Sequence, residues 1–176
     1  ILKDLGKLQE AELSTGKAIE IKPNYAEAHS ILGTILKDLG KLQEAELSTR
    51  KAIEIKPNYA EAHLNLGTIL KDLGKLQQAE LSTRKAIEIK PDYAEAHSNL
   101  GNILRDLGKL KELVLLSKSI LKSKSINQGY KLFASLRTTI ANLLKKDFSE
   151  TLLYLQKTND LINQGAISSI TVSYTH

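Results

Sequence analysis

Residues 26–59 read AEAHSILGTILKDLGKLQEAELSTRKAIEIKPNY, and residues 60–93 repeat them with changes only at Ser30/Leu64, Ile31/Asn65, Glu44/Gln78 and Asn58/Asp92. The same period of 34 residues separates Pro23, Pro57 and Pro91, then Gly33, Gly67 and Gly101, then Gly6, Gly40, Gly74 and Gly108. A fixed period of this length means an array in which each unit buries its apolar face only against its neighbours.

Within one unit the apolar residues fall at helical spacing twice, first Ala28, Ile31, Leu32, Ile35, Leu36 and Leu39, then Leu42, Ala45, Leu47, Ala52, Ile53 and Ile55. Two helices per unit follow. Gly40, Gly74 and Gly108 stand where the first helix must turn, because glycine reaches the left-handed cap conformation without steric cost. Pro57 closes the second helix from just beyond its end. Asn58 followed by Glu61, with Asn24/Glu27 and Asp92/Glu95 in the other units, reads as a capping box in which a side-chain oxygen accepts from an orphan backbone N–H.

These residues resemble the tetratricopeptide repeat, a 34-residue helical hairpin. Leu32-Gly33, Leu66-Gly67 and Leu100-Gly101 match its LG pair, Ala45 and Ala79 its central alanine, Ala52 and Ala86 its later alanine, and Pro57 and Pro91 its closing proline. The departures recur in every unit: His29, His63 and His97 replace a tryptophan, Leu36, Leu70 and Leu104 a tyrosine, and Thr49 and Thr83 an aromatic. The resemblance implies an all-α fold, a right-handed α-solenoid of stacked antiparallel hairpins, with Gly33 packed on Ala45. The expected organisation is a partial unit at 1–25, full units at 26–59 and 60–93, a unit at 94–127 with a diverged second helix, a diverged helix pair at 128–165, and a tail at 166–176. In the partial unit, Gly16 stands where Arg50 and Arg84 would pair with a glutamate one turn back, and Leu8, Ala11, Ala18 and Ile19 lack a full partner helix. In the unit at 94–127, Leu113 replaces the alanine opposite Gly101 and Ser125 replaces the proline.

Composition narrows the function. The chain has 176 residues, no cysteine and a formal net charge of +5, so disulfides and thiolate chemistry are excluded, and a cytoplasmic location is the expectation. The longest apolar run, Leu113–Leu116, is far short of the ~18 residues that a membrane span needs. The charge is uneven: residues 109–146 hold Lys109, Lys111, Lys118, Lys122, Lys124, Lys131, Arg137, Lys145 and Lys146 against Glu112 alone. The chain lacks methionine, and Ile1 falls late in the first helix of a unit, so the sequence reads as a piece of a longer array. Open ends of such an array make a homo-oligomer one expectation.

No catalytic motif is present: the sequence holds no GxSxG, P-loop or GxGxxG, and His29, His63 and His97 stand one per unit as packing residues rather than converging on a metal. Neither an enzyme nor a cofactor nor a metal site is expected. Nucleic acid is disfavoured, since the basic segment mixes lysine with serine and leucine, and its only aromatics are Tyr130 and Phe133. The expected partner is a protein or peptide.

By the resemblance, first helices line a concave groove that holds a peptide. The groove positions are Glu27, Ser30, Ile31, Thr34, Lys37 and Asp38, then Glu61, Leu64, Asn65, Thr68, Lys71 and Asp72, then Glu95, Ser98, Asn99, Asn102, Arg105 and Asp106. Asn65 and Asn99 offer an amide complementary to one peptide group, so a row of asparagines can hold an extended backbone. The SNLGN and YAEAH phrasing is similar to repeats of the O-linked N-acetylglucosamine transferase family, which use such a ladder. That similarity implies an alternative, a substrate-recruiting array of a larger enzyme; a structural, self-assembling array is a third. The carboxylate clamp of chaperone-binding members is not matched, because Glu27, Glu61, Glu95, Ser30, Leu64 and Ser98 stand where it needs cations.

Overall fold

The computed structural model describes residues 2–123, 126–131, 134–136 and 148–163. The expected tail at 166–176, most of the first helix expected near 130–146, and the cap expected at Gly165 lie outside the described residues. The chain divides into two compact units, 1–91 and 92–176.

The first unit is a run of helices, α1 (Leu2–Ile21), α2 (Ala26–Asp38), α3 (Leu42–Ile55), α4 (Ala60–Asp72) and α5 (Leu76–Ile89). Each packs on the next as far as α5, and α2 also touches α4, so the hairpins stack as a helical solenoid. The turn between α2 and α3 follows from one glycine. Gly40 sits at φ 75°; its N–H donates to the Lys37 carbonyl at 2.9 Å and the Lys41 N–H to the Leu36 carbonyl at 2.8 Å, the paired bonds that satisfy the last carbonyls of a helix. Gly74 repeats this at φ 74°, with Lys75 donating to Leu70 at 2.8 Å. Gly6 shares the spacing but lies inside α1, which runs unbroken past it.

The helix starts differ from the capping boxes read from the sequence. The N-cap residues are Tyr25, Tyr59 and Tyr93, one position later than Asn24, Asn58 and Asp92, and none makes a side-chain cap bond. The loop is held from within the hairpin instead. His29 Nε2 donates to the Pro23 carbonyl at 2.8 Å and His63 Nε2 to the Pro57 carbonyl at 2.9 Å, which places the hydrogen on Nε2 because a carbonyl only accepts. The histidines that replace the family tryptophan thus anchor the preceding proline turn.

Inside each hairpin the two helices meet at a glycine and a threonine. Thr49 is fully buried and its Oγ1 donates to the Ala45 carbonyl at 2.8 Å, as Thr83 does to Ala79. A Cβ built on Gly33 would land on the Thr49 hydroxyl and lie 3.3 Å from the Ala45 carbonyl, so the expected Gly33–Ala45 contact is to backbone and the side chain filling the gap is Thr49. Ser48 and Ser82 add a bond from the second helix to the carbonyls of His29 and His63, each at 2.9 Å. Leu36, Ala45 and Ile69 form a buried cluster with Leu32 and Leu73 packed against it, joining one hairpin to the next. Each large side chain so buried contributes roughly 1.5–3 kcal/mol.

Charged staples reinforce the stacking. Glu12 accepts from Lys41 at 2.7 Å and Glu46 from Lys75 at 2.7 Å, in both cases from the second helix of one unit to the turn of the next. Arg50–Glu46 and Arg84–Glu80, each at 2.8 Å, are the pairs one helical turn apart that Gly16 lacks in α1. Leu8, Ala11, Ala18 and Ile19 of α1 remain half-exposed, whereas their alanine counterparts Ala45 and Ala52 are completely buried.

The second unit contains α6 (Ala94–Asp106), α7 (Leu110–Lys122), helical residues at 128–131 and 134–136, and α8 (Phe148–Asn163). Gly108 turns α6 into α7 at φ 69°. Leu113 is buried at the position of Ala45, and Ser117, at the position of Thr49, donates to the Leu113 carbonyl at 2.9 Å. The diverged pair keeps the same device: Ser135 is hydrogen-bonded to Thr158, whose Oγ1 donates to the Tyr154 carbonyl at 2.7 Å. Ser135 stands against Thr158 as Gly33 stands against Thr49. Ile120, Ile126 and Ala134 form this unit's buried cluster. No helix among the described residues is long and apolar enough to cross a membrane.

Candidate functional site

Of the groove positions read from the sequence, those in the first unit come together on α2 and α4. Asn65 Nδ2 donates to Ser30 Oγ at 3.2 Å and to Thr34 Oγ1 at 3.3 Å, tying α4 to α2. Thr34 Oγ1 in turn donates to the Ser30 carbonyl at 3.3 Å, and Thr68 Oγ1 to the Leu64 carbonyl at 3.2 Å. Ser30 and Leu64 are buried, whereas Thr34, Asn65 and Thr68 are half-exposed. The result is a polar strip one side chain wide. Both amide hydrogens of Asn65 are engaged within the protein, so what it retains for a ligand is its acceptor, Oδ1.

Ile31 occupies the Asn65 position one unit earlier and is 53 % exposed. The strip therefore ends in an apolar side chain. Lys37 pairs with its neighbour Asp38 at 2.6 Å, while Lys71 is half-buried and Asp72 exposed. At the edge of the strip Lys56 Nζ contacts Glu27 at 2.8 Å and lies 4.6 Å over the Tyr59 ring. That Lys56 bond holds Glu27 below the usual carboxylate range and pushes Lys56 above the ordinary lysine value. Burial, and then the charges of Glu27 and Glu61, raise Tyr59.

In the second unit, Ser98, Asn99 and Asn102 are half-buried along α6, and Arg105 and Asp106 form an exposed neighbour pair at 2.9 Å.

A second concave feature was not read from the sequence. A groove of about 530 Å³ runs between α3 and α5 over α4, floored by Ile53, Leu66 and Leu70 and edged by Leu81. Its sequence signal is a leucine at one position of every second helix: Leu13, Leu47, Leu81 and Leu115 are 69 %, 70 %, 70 % and 66 % exposed. Helical periodicity alone assigns these leucines to the core, so the repeat has to be compared with itself to show that they face outward.

The family model described as TPR repeat matches the chain twice, at residues 33–74 and 67–108. Residues 33–108 are tetratricopeptide repeats. The solved structure of MamA is similar to this chain at 23 % identity, covering 93 % of this chain and 94 % of that one, with a TM-score of 0.81. MamA 41-end from Desulfovibrio magneticus RS-1 is 18 % identical, with 90 % and 88 % covered and a TM-score of 0.76. YrrB, described as a TPR protein with an unusual peptide-binding site, is 21 % identical, with 97 % and 87 % covered and a TM-score of 0.73. At these identities the likeness is one of fold, and it places the tetratricopeptide hairpins in an all-α solenoid. No curated protein matches the chain.

Proposed function

We propose that this chain is a protein-interaction scaffold that holds an extended peptide or partner segment against the first-helix face of its tetratricopeptide repeats. The observation that carries the reading is the strip Thr34–Ser30–Asn65, in which hydroxyl and amide groups of two successive hairpins are already joined by hydrogen bonds. A strip fixed in this way loses little side-chain freedom when a ligand arrives. The Asn65 Oδ1 is the acceptor for a peptide N–H, and the exposed Ile31 supplies an apolar contact at the end of the strip. One or two such bonds, each worth roughly 1 kcal/mol net, give weak and sequence-tolerant binding, which suits an array that gains affinity by repetition.

The test is selection from a library of linear peptides, followed by amide chemical-shift mapping on the isotopically labelled chain. Perturbations centred on Ser30, Thr34, Asn65 and Thr68, with capture weakened in Asn65→Ala, support the reading. Perturbations confined to Leu47, Leu81 and the groove between α3 and α5 overturn it.

A further inference from the structure

The groove between α3 and α5 has a counterpart in the second unit with its charge changed. Two repeats after Arg50, Ile53 and Glu54 stand Lys118, Leu121 and Lys122 on α7, and these line a cavity of about 410 Å³ against α8. Its floor is apolar, made by Leu121 with Tyr154 and Leu161, both buried. Lys131 and Lys157 complete the walls, so four lysines face one carboxylate, that of Asp160.

The two grooves differ in how their cations are neutralised. In the first, Arg50 is paired with Glu46 at 2.8 Å and Lys85 with Glu88 at 2.7 Å. In the second, Lys122 and Lys131 make no ion pair among the described residues, and Lys157 lies 5.2 Å over the Tyr154 ring. Lys122 and Lys131, held beside an apolar floor with no carboxylate partner among the described residues, are complementary to a ligand with acid groups beside an apolar side chain.

We propose that this groove binds an acidic amphipathic segment of a partner protein, its carboxylates meeting Lys122, Lys131 and Lys157 and an apolar side chain resting on the half-buried Leu121. RNA fits less well. Its sequence-tolerant binding draws on aromatic faces for base stacking, and Tyr154, the aromatic residue of this cavity, is 3 % exposed with Lys157 over its ring. The site lies on the second-helix side and does not depend on the Asn65 strip.

Fluorescence anisotropy on the full chain tests it, with three labelled probes: a helical peptide carrying glutamate on one face and leucine on the other, the same peptide with glutamine for glutamate, and a uridine homopolymer. The acidic peptide is expected to bind, the glutamine peptide to bind at least roughly tenfold more weakly, and the uridine homopolymer not to bind. Binding of the acidic peptide should weaken between about 50 mM and about 300 mM salt. Lys122→Glu with Lys131→Glu should remove it, whereas Lys71→Glu and Asn65→Ala should leave it unchanged. If circular dichroism shows the double reversal to be misfolded, Lys131→Gln with Lys157→Gln decides, with an expected loss of roughly tenfold. Equal binding of the acidic and glutamine peptides, binding that survives loss of the lysines, or uridine binding lost with those same lysines would each overturn the proposal.

Discussion

The hydroxyl of Thr49 occupies the space that a Cβ on Gly33 would need, and Thr83 does the same at Gly67. The contact replaces the aromatic side chain that the family places at the threonine position, and it brings the two helices of a hairpin together over a buried, hydrogen-bonded side chain. Glycine at 33 and 67 is therefore a packing requirement. Its cost in helix propensity, about 1 kcal/mol relative to alanine, is outweighed by the approach it permits.

Gly33→Ala is expected to destabilise the first unit by roughly 1–3 kcal/mol, since the fully buried Thr49 would have to turn its hydroxyl away from the Ala45 carbonyl or the helices would have to separate. Adding Thr49→Ala removes the clash, so the double variant should be more stable than Gly33→Ala alone. Urea midpoints of the three proteins check this; a Gly33→Ala protein as stable as the parent would show that the helices separate without cost.

Gly16→Ala should act in the opposite direction. Gly16 lies within α1, and a Cβ there meets nothing within 4 Å. Removing a flexible residue from a helix interior contributes roughly 0.5–1 kcal/mol, and amide hydrogen exchange in α1 should slow accordingly. Unchanged exchange would mean that α1 opens for reasons other than helix propensity.

Much of this was legible in the sequence, because the decisive signals are local. A glycine recurring at each helix end announces a positive φ, as found at Gly40, Gly74 and Gly108, and the apolar periods fix the helices around it. Helix starts were less legible. Tyr59 begins α4 without a side-chain cap because the turn before it is fixed by the ring of His63, a contact that no local propensity encodes. The strip positions on α2 and α4 could be placed from the family pattern, but the engagement of Asn65 with Ser30 and Thr34 depends on the register between hairpins. The same holds for Glu46–Lys75, whose partners belong to different units.

That pair gives an acid-limb prediction. The Lys75 bond, aided by Arg50, holds Glu46 below the ordinary glutamate value of 4.5. A carboxyl lowered on folding contributes stability at pH values above 4.5 and loses it as pH falls through the folded value. Glu46→Gln should cost about 1 kcal/mol at neutral pH, with the difference from the parent vanishing in acid. A difference that persists unchanged in acid would assign the effect to packing.

Asn65→Ala removes two bonds from α4 to α2 and should lower stability by about 1 kcal/mol, besides weakening any peptide held by Oδ1. The two effects separate in Ser30→Ala with Thr34→Val, which removes the acceptors of the Asn65 amide and leaves Oδ1 in place. That variant should lose stability and, if Oδ1 is the contact, keep a larger share of the capture than Asn65→Ala. Melting curves paired with capture of the selected peptide distinguish the two.

Tyr130 sets the alkaline limb of the second unit. Its hydroxyl donates to Glu95 at 3.1 Å, and burial, followed by the charge of Glu95, pushes its phenol from 10.0 up to about 12. The neutral phenol is therefore favoured by folding. Its contribution is complete below pH 10 and is lost as pH rises through about 12, because the unfolded chain gives up that proton first. Lysine deprotonation over the same range affects the parent and Tyr130→Phe alike, so the comparison isolates the phenol. The parent should lose stability more steeply than Tyr130→Phe across this window, and tyrosinate absorbance should show one group titrating late that is missing from the variant. Parallel stability curves would mean that the Tyr130 hydroxyl is solvated in the folded chain and that the bond to Glu95 does not hold α6 to the segment that follows α7.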